Sequence, residues 1–445
     1  MKTPICDFVE RYIKSGLSRL HMPGHKGFGP LGIEERDITE IDGADVLYAS
    51  NGIIRESEKN AEELFGSART VYSAEGSSLS IRAMLCLAVM QAREAGKRPV
   101  IAAGRNAHKI FVNTAALLDF GIEWIYPRES SLISCDITAD SLAAALDGMS
   151  EAPTALYITS PDYLGNTTSI KSIADVCHKR GMLLLVDNAH GAYLNFLPES
   201  AHPITLGADI CADSAHKTLP VITGGGYLHI SKTAPSMLAE RAEYAMSLFA
   251  STSPSYLILQ SLDAANLYLS DGYRTRLAGF IKKLDSLKQR LTAHGFTLVG
   301  NEPLKLTLAP KSFGYTGIGL ADILGEGGVI CEFADPDYTV MMPTPENGES
   351  TLDKIERILT SLEKRRAIVT LPPAIGKPTR AMTPREAIFS PSESVKSSDA
   401  LGRILASAEI SCPPAIPVAI CGEVIDENVI AALGYYGIDE CSVVK

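Results

Sequence analysis

Hydrophobic and polar positions along this chain follow two rhythms, and their alternation organises its first two thirds. Short apolar runs of strand length occur at Pro99 to Ala103, Ile122 to Tyr126, Ala155 to Thr159, Met182 to Val186 and Tyr227 to Ile230. Between them lie segments of helical spacing, among them Leu79 to Ala95, closed by Gly96, and Ile170 to Arg180, closed by Gly181. Strands that are apolar throughout and alternate with helices predict an α/β fold built on a large, mostly parallel sheet covered on both faces.

The flanks differ. Thr3 and Pro4 read as the cap and first position of a short helix whose apolar face is Phe8, Val9, Tyr12 and Ile13. His21 to Gly27 crowds two histidines and a lysine into a segment where Pro23 and Gly24 forbid regular structure, a turn or a site. Acids alternate with apolar residues from Asp37 to Asp45, which suits a short edge strand or a carboxylate cluster at a subunit boundary. After Ser231 the pattern is helical, through Ala239 to Phe249 and one long segment from Tyr256 to His294. Past Gly295, strand-like runs at Phe296 to Val299, Leu304 to Leu308, Val329 to Phe333 and Thr339 to Met342, with an amphipathic helix at Thr351 to Lys364, predict a smaller α+β domain. The expected division is 1–61 as an N-terminal arm, 62–295 as the large domain and 296–445 as the small one.

Composition narrows the function classes. A chain of 445 residues with net charge −11 carries no basic, aromatic-interleaved patch for nucleic acid and suits a cationic substrate. The longest apolar run, Ala83 to Met90, is far short of the roughly 20 residues of a membrane span, and the N-terminus has no export signal. Nine cysteines without a C-x-x-C pair read as reduced thiols of a cytoplasmic protein, and no metal site is expected.

The candidate chemistry lies where strands end. In parallel sheets, ligands bind beyond the carboxyl ends of the strands. Polar clusters follow the runs ending near Ala103, Thr159, Val186 and Cys211, and together they contain Ser, His, Asp and Lys. Lys217, flanked by hydroxyls and followed by Gly224-Gly225-Gly226, suits a Schiff base with an aldehyde cofactor. Gly76-Ser77-Ser78 at a helix start offers N–H groups, hydroxyls and the positive end of the dipole to a phosphate. Taken singly, such a lysine is more often a surface residue in a turn, and such a serine an N-cap.

Taken in order, HMPGHKG at 21–27, DITEIDG at 37–43, EGSS at 75–78, RNAHK at 105–109, SPDYLG at 160–165, VDNAHGA at 186–192, SAHKTLP at 214–220, TPREAIF at 383–389 and CPPAIP before Gly422-Glu423 resemble the Orn/Lys/Arg decarboxylase family. That family consists of pyridoxal-phosphate enzymes of fold type I, and the likeness is to compact members without an N-terminal wing domain. The resemblance implies that Lys217 binds the cofactor covalently, that Asp187 pairs with its ring nitrogen, that His108 stacks on the ring, and that Ala189 lies against it. It further implies phosphate contacts from Ser77, Ser78 and Ser214, a place for His216 near the phosphate and substrate carboxylate, and substrate contacts from His190 and Glu423.

Departures fall on the substrate side. Members commonly carry Glu at Asn188, His at Tyr193, Thr at Asp162, Gln-Gly-Ser at Gly224–Gly226 and Gly at Ala415. The expected activity is decarboxylation of arginine, lysine or ornithine by a homodimer, feeding polyamine synthesis. An aminotransferase or lyase on the same fold, or a cofactor-binding protein without turnover, are the alternatives.

Overall fold

The computed structural model describes residues 1–127, 133–374, 376–407, 411–412 and 416–445, without the side chains of 411 and 412. Pro413 to Ala415 of the CPPAIP stretch, including the Ala415 departure, lie outside the described residues. The leading elements are α1 (Pro4–Lys14), α2 (Ile53–Phe65), β1 (Arg69–Ser73), α3 (Gly76–Glu94), β2 (Val100–Gly104), α4 (Lys109–Leu118), β3 (Gly121–Ile125), α5 (Ala139–Asp147), β4 (Ala155–Thr159), α6 (Ile170–Lys179), β5 (Leu183–Asp187), β6 (Ile210–Asp213) and β7 (Gly226–Ile230). The chain forms two compact units, the first Met1–Pro99, Thr154–Tyr157 and Ile170–Arg276, the second Val100–Pro153, Ile158–Ser169 and Leu277–Lys445.

In the first unit the strands run β1-β7-β6-β5, with the opening residues of β4 next. β5 and β6 are parallel, as the continuous apolar runs predict, whereas β7 is antiparallel to both β1 and β6. Every residue of β1, β5, β6 and β7 is buried. α3 packs on β5, β6 and β7 and is apolar nearly all round, as a helix interred on a sheet must be. Each of its buried leucines contributes about 1.5–3 kcal/mol of burial.

The 37–45 stretch is not a strand. Its last residue, Asp45, turns its carboxylate to the N–H groups of Gly52 at 2.9 Å and Ile54 at 3.0 Å, capping α2. α2 itself was not legible as a separate helix; it ends where Gly66 takes the left-handed conformation. The long helical segment after Tyr256 is two helices, Tyr256–Ser270 and Tyr273–His294, parted at Gly272 with φ 66°.

In the second unit the closing residues of β4 are followed by β2 and β3, which pair in parallel. A separate antiparallel sheet orders Phe333–Ala334, Thr339–Met341, Leu306–Leu308 and Leu298–Val299. These strands are shorter than the apolar runs suggested, because turn residues such as Asp335 and Asp337 take up backbone N–H and side-chain bonds at their ends. A further cluster, with Val418, Ile425, Val429, Leu433 and Val443 buried, packs the C-terminal helix Glu427–Tyr435.

Candidate active site

Strand β5 ends in Asp187, and β6, paired with it through Asp187 and Ala212, runs into Ser214 and the single turn Ala215–Thr218 that holds Lys217. Parallel pairing therefore delivers an acid and an amine to the same edge of the sheet. Asp187 is 2% exposed. Its Oδ2 accepts from the Tyr157 hydroxyl at 2.8 Å and its Oδ1 from the Ala189 N–H at 3.1 Å. Burial pushes its carboxyl above the usual carboxylate range, and the Tyr157 bond, the Lys217 charge and the Ala189 N–H pull it back. A carboxylate in that position gains from a cationic N–H partner.

Lys217 Nζ lies 3.1 Å from Nε2 of His190, on the Asp187–Gly191 turn. On the other side, Ser214 Oγ donates to Ser77 Oγ at 2.7 Å. Ser77 and Ser78 occupy the first turn of α3, whose N–H groups have no partner within the helix. Gly76 opens that helix with φ 69°, and its N–H donates to Gly224 O at 2.6 Å. A Cβ on Gly226 would stand 3.1 Å from the Gly76 carbonyl carbon and 3.3 Å from Ser77 N, so the glycine triplet lets β7 pass against the helix start. His216 is held beside this cradle: its Nδ1 lies 2.8 Å from Gly225 O, which also accepts the His216 N–H, and its ring lies beside Gly76. Amine, buried acid and a serine-lined helix N-terminus thus fit an aldehyde cofactor with a protonatable ring nitrogen and a phosphate.

Two expected site residues belong to the second unit. His108 caps α4, its Nδ1 accepting the Ile110 N–H at 3.1 Å, so its proton sits on Nε2. Glu423 is 4% exposed and accepts from Arg105 Nη2 at 3.2 Å and from the Ile420 N–H at 2.7 Å. Arg105 also donates to the carbonyls of Pro417 and Val418 and lies over the Trp124 ring at 5.6 Å. Glu423's charge is therefore compensated by a cation of its own chain. Asp162, a departure, organises a turn by accepting from the backbone and side chain of Asn166, both at 2.9 Å. Tyr157, the pairing of Arg105 with Glu423 and the Asp213 environment escaped the sequence reading; Arg105 gave a signal there as the first residue of RNAHK, and Asp213 as an acid closing an apolar run four residues before the lysine.

A family model described as "Orn/Lys/Arg decarboxylase, major domain" matches residues 3–302. Arginine decarboxylase of Halalkalibacterium halodurans is 30% identical over 97% of this chain and 92% of its own length. Arginine decarboxylase of Bacillus subtilis has the same identity and coverage. Among solved structures, the constitutive lysine decarboxylase of Escherichia coli superposes with TM-score 0.78 at 18% identity, over 100% of this chain and 82% of that one. The lysine decarboxylase of Francisella novicida gives 0.80 at 16%, over 100% and 81%. Likeness at that identity speaks to fold alone, the type I fold of pyridoxal-phosphate enzymes. With the family match and the relatives over nearly its full length, the chain belongs to the Orn/Lys/Arg decarboxylase family.

Proposed function

We propose that this chain decarboxylates a basic amino acid with pyridoxal phosphate held at Lys217, and that arginine is its substrate. The observation that carries the reading is the pairing of β5 with β6, which brings buried Asp187 and the Lys217 turn to one sheet edge. The choice of arginine follows the two relatives of 30% identity. When bound, the cofactor supplies the electron sink that accepts the pair left on Cα as CO2 departs.

The residues divide the work. Lys217 would hold the cofactor covalently through its amine, which serves that purpose only in its neutral form. His190 Nε2, at 3.1 Å, is placed to take a proton from Nζ. Asp187, oriented by the Tyr157 hydroxyl and the Ala189 N–H, holds the ring nitrogen protonated through a charge-assisted hydrogen bond. Ser77, Ser78, Ser214 and the α3 N-terminus bind the phosphate, with His216 fixed beside them by Gly225. Ala189 leaves room for the ring face, and His108 supplies an imidazole to stack on it. Exclusion of water from the substrate carboxylate favours release of neutral CO2.

Glu423 is proposed to meet the distal cation of the substrate, in competition with Arg105. The assembly is proposed to be a cytoplasmic homodimer; no helix among the described residues is long and apolar enough to cross a membrane. Incubation of the protein and cofactor separately with arginine, lysine and ornithine tests the whole reading. Stoichiometric CO2 and agmatine from arginine are expected, and accumulation of a 2-oxo acid without CO2 overturns it. Sedimentation during turnover should give a dimer or a multiple of it, and an active monomer refutes that part.

A further inference from the structure

Behind the Lys217 turn lies a fully buried carboxylate that this mechanism does not use. Asp213 closes β6 and is 0% exposed. Its Oδ1 accepts from Asn188 Nδ2 at 2.8 Å and from the Cys211 thiol at 3.3 Å. Its Oδ2 lies 2.9 Å from His202 Nε2 and 3.4 Å from His229 Nε2, on two histidines that are themselves 0% exposed.

His, Cys and Asp grouped this way also describe a metal centre, since ligand atoms of His202, Cys211 and Asp213 all lie within 4.8 Å of one another. The hydrogen bonds of His202 decide between the two. Its Nδ1 accepts the Ile204 N–H at 3.3 Å, capping the short helix Pro203–Leu206. An imidazole whose Nδ1 is an acceptor carries its proton on Nε2, so Nε2 donates to Asp213 and has no lone pair for a metal. Burial also pushes the Cys211 thiol far up, away from the thiolate that a metal would need. Burial holds His229 below its ordinary range, hence neutral, while its Nδ1 meets Thr70 Oγ1 at 2.8 Å. Burial opposes ionisation of Asp213, yet His202 and His229 hold its carboxyl well below the usual range. What remains is one negative charge held in the core by hydrogen bonds.

That charge touches both segments of the site. Backbone continuity links Asp213 to Ser214 and Lys217. Through Asn188, whose own N–H donates to Ala212 O at 3.0 Å, it anchors the Asp187–Gly191 turn that carries His190. We propose that Asp213 is a positioning residue that sets the placement of the Asp187 and Lys217 segments and whose buried charge favours protonation at the Lys217 nitrogen and at the ring nitrogen held by Asp187. The inference rests on the pyridoxal-phosphate reading above. Asp187 and Lys217 are the charged groups on the site side; the Cys211 thiol donates to it, the Tyr227 phenol lies within its field without a hydrogen bond, and Glu62 stands beyond His229.

The test compares wild type, Asp213→Asn and His202→Gln, each loaded with pyridoxal phosphate. The readouts are the pH midpoint of the visible absorbance, the cofactor dissociation constant, and the unfolding midpoint without cofactor. Asp213→Asn should lower the absorbance midpoint by about one pH unit and weaken cofactor binding about tenfold. His202→Gln keeps the carboxylate and a donor, and should leave the absorbance midpoint within about 0.3 units of wild type. If Asp213→Asn loses only thermal stability, with absorbance midpoint and affinity unchanged, the role is structural and the proposal falls. Should Asp213→Asn fail to fold, Asn188→Ser carries the test, and unchanged cofactor affinity in it refutes the positioning role. One equivalent of zinc in the purified protein, lost in His202→Gln, overturns the hydrogen-bonded assignment. A wild type without any visible band on cofactor addition refutes instead the reading beneath it.

Discussion

Lys217 Nζ and His190 Nε2 stand 3.1 Å apart, and His190 follows Asp187 by three residues on one turn. The candidate nucleophile and the candidate anchor of the ring nitrogen are therefore tied through a single short segment. Any change that shifts this turn moves both, and the turn is anchored on β6 through the Asn188 bonds to Ala212 O and Asp213.

Replacement of Lys217 by Ala should retain the fold and abolish both the borohydride-reducible cofactor adduct and turnover. Replacement of His190 by Gln keeps a hydrogen-bonding group but no titrating ring. It should lower kcat/KM about 10²-fold or more and flatten the pH profile on its acidic side. A variant with a normal profile would remove His190 from proton transfer; a reducible adduct at another lysine with a normal rate would remove Lys217.

Tyr157→Phe takes away one of the two donors that orient Asp187. A hydrogen bond to a charged group contributes about 1.5–3 kcal/mol, so a loss of roughly 10- to 100-fold in kcat is expected, with the cofactor still bound. Asp187→Asn should cost several orders more, because an amide cannot hold the ring nitrogen protonated. Equal rates for Asp187→Asn and wild type would show that the acid has another purpose.

The pair Arg105–Glu423 is buried on both sides, with side chains 7% and 5% exposed. Arg105→Met leaves the carboxylate buried and unpaired, and the expected destabilisation is about 3–5 kcal/mol by chemical denaturation. The double variant Arg105→Met, Glu423→Gln should recover much of that loss. If the single variant is as stable as wild type, Glu423 has another cation, and the substrate becomes the leading candidate.

Glu58 sets a pH dependence of stability. Burial raises its carboxyl to about 7 against the opposing charge of Arg69 at 2.8 Å, which also binds Glu62 and Glu243. In the unfolded chain a glutamate titrates near 4.3. Between these values the folded state binds more protons than the unfolded one, so this group's contribution to stability falls as pH rises from about 4.3 to 7. Glu58→Gln should flatten that slope in unfolding midpoints measured from pH 5 to 8. An unchanged slope would assign the titration elsewhere.

Much of the fold was legible because one-dimensional patterns carry it. Five-residue apolar runs such as Met182 to Val186 and Ala155 to Thr159, bounded by turn residues, read as buried strands, and glycines at helix ends mark where the chain turns. Asp187 and Lys217 were legible too, since both follow such runs and chemistry beyond strand ends is a rule of parallel sheets. The acidic 37–45 stretch misled because its alternation imitates a strand, whereas Asp45 is used as a helix cap by a segment up to ten residues away. Helix caps formed across loops leave no periodic trace.

Sequence by itself determined the family, the α/β class and the acid and amine at the strand ends, because these depend on residue type, order and hydrophobic period. Only the tertiary structure decided that Glu423 is already met by Arg105, more than 300 positions earlier in the chain, and that Tyr157 orients Asp187. It alone gathered Asn188, His202 and His229 around Asp213. The physical reason is range. Local spacing governs which element forms, whereas the partner of a buried charge is set by the packing of distant elements, where an unpaired charge is too costly to persist.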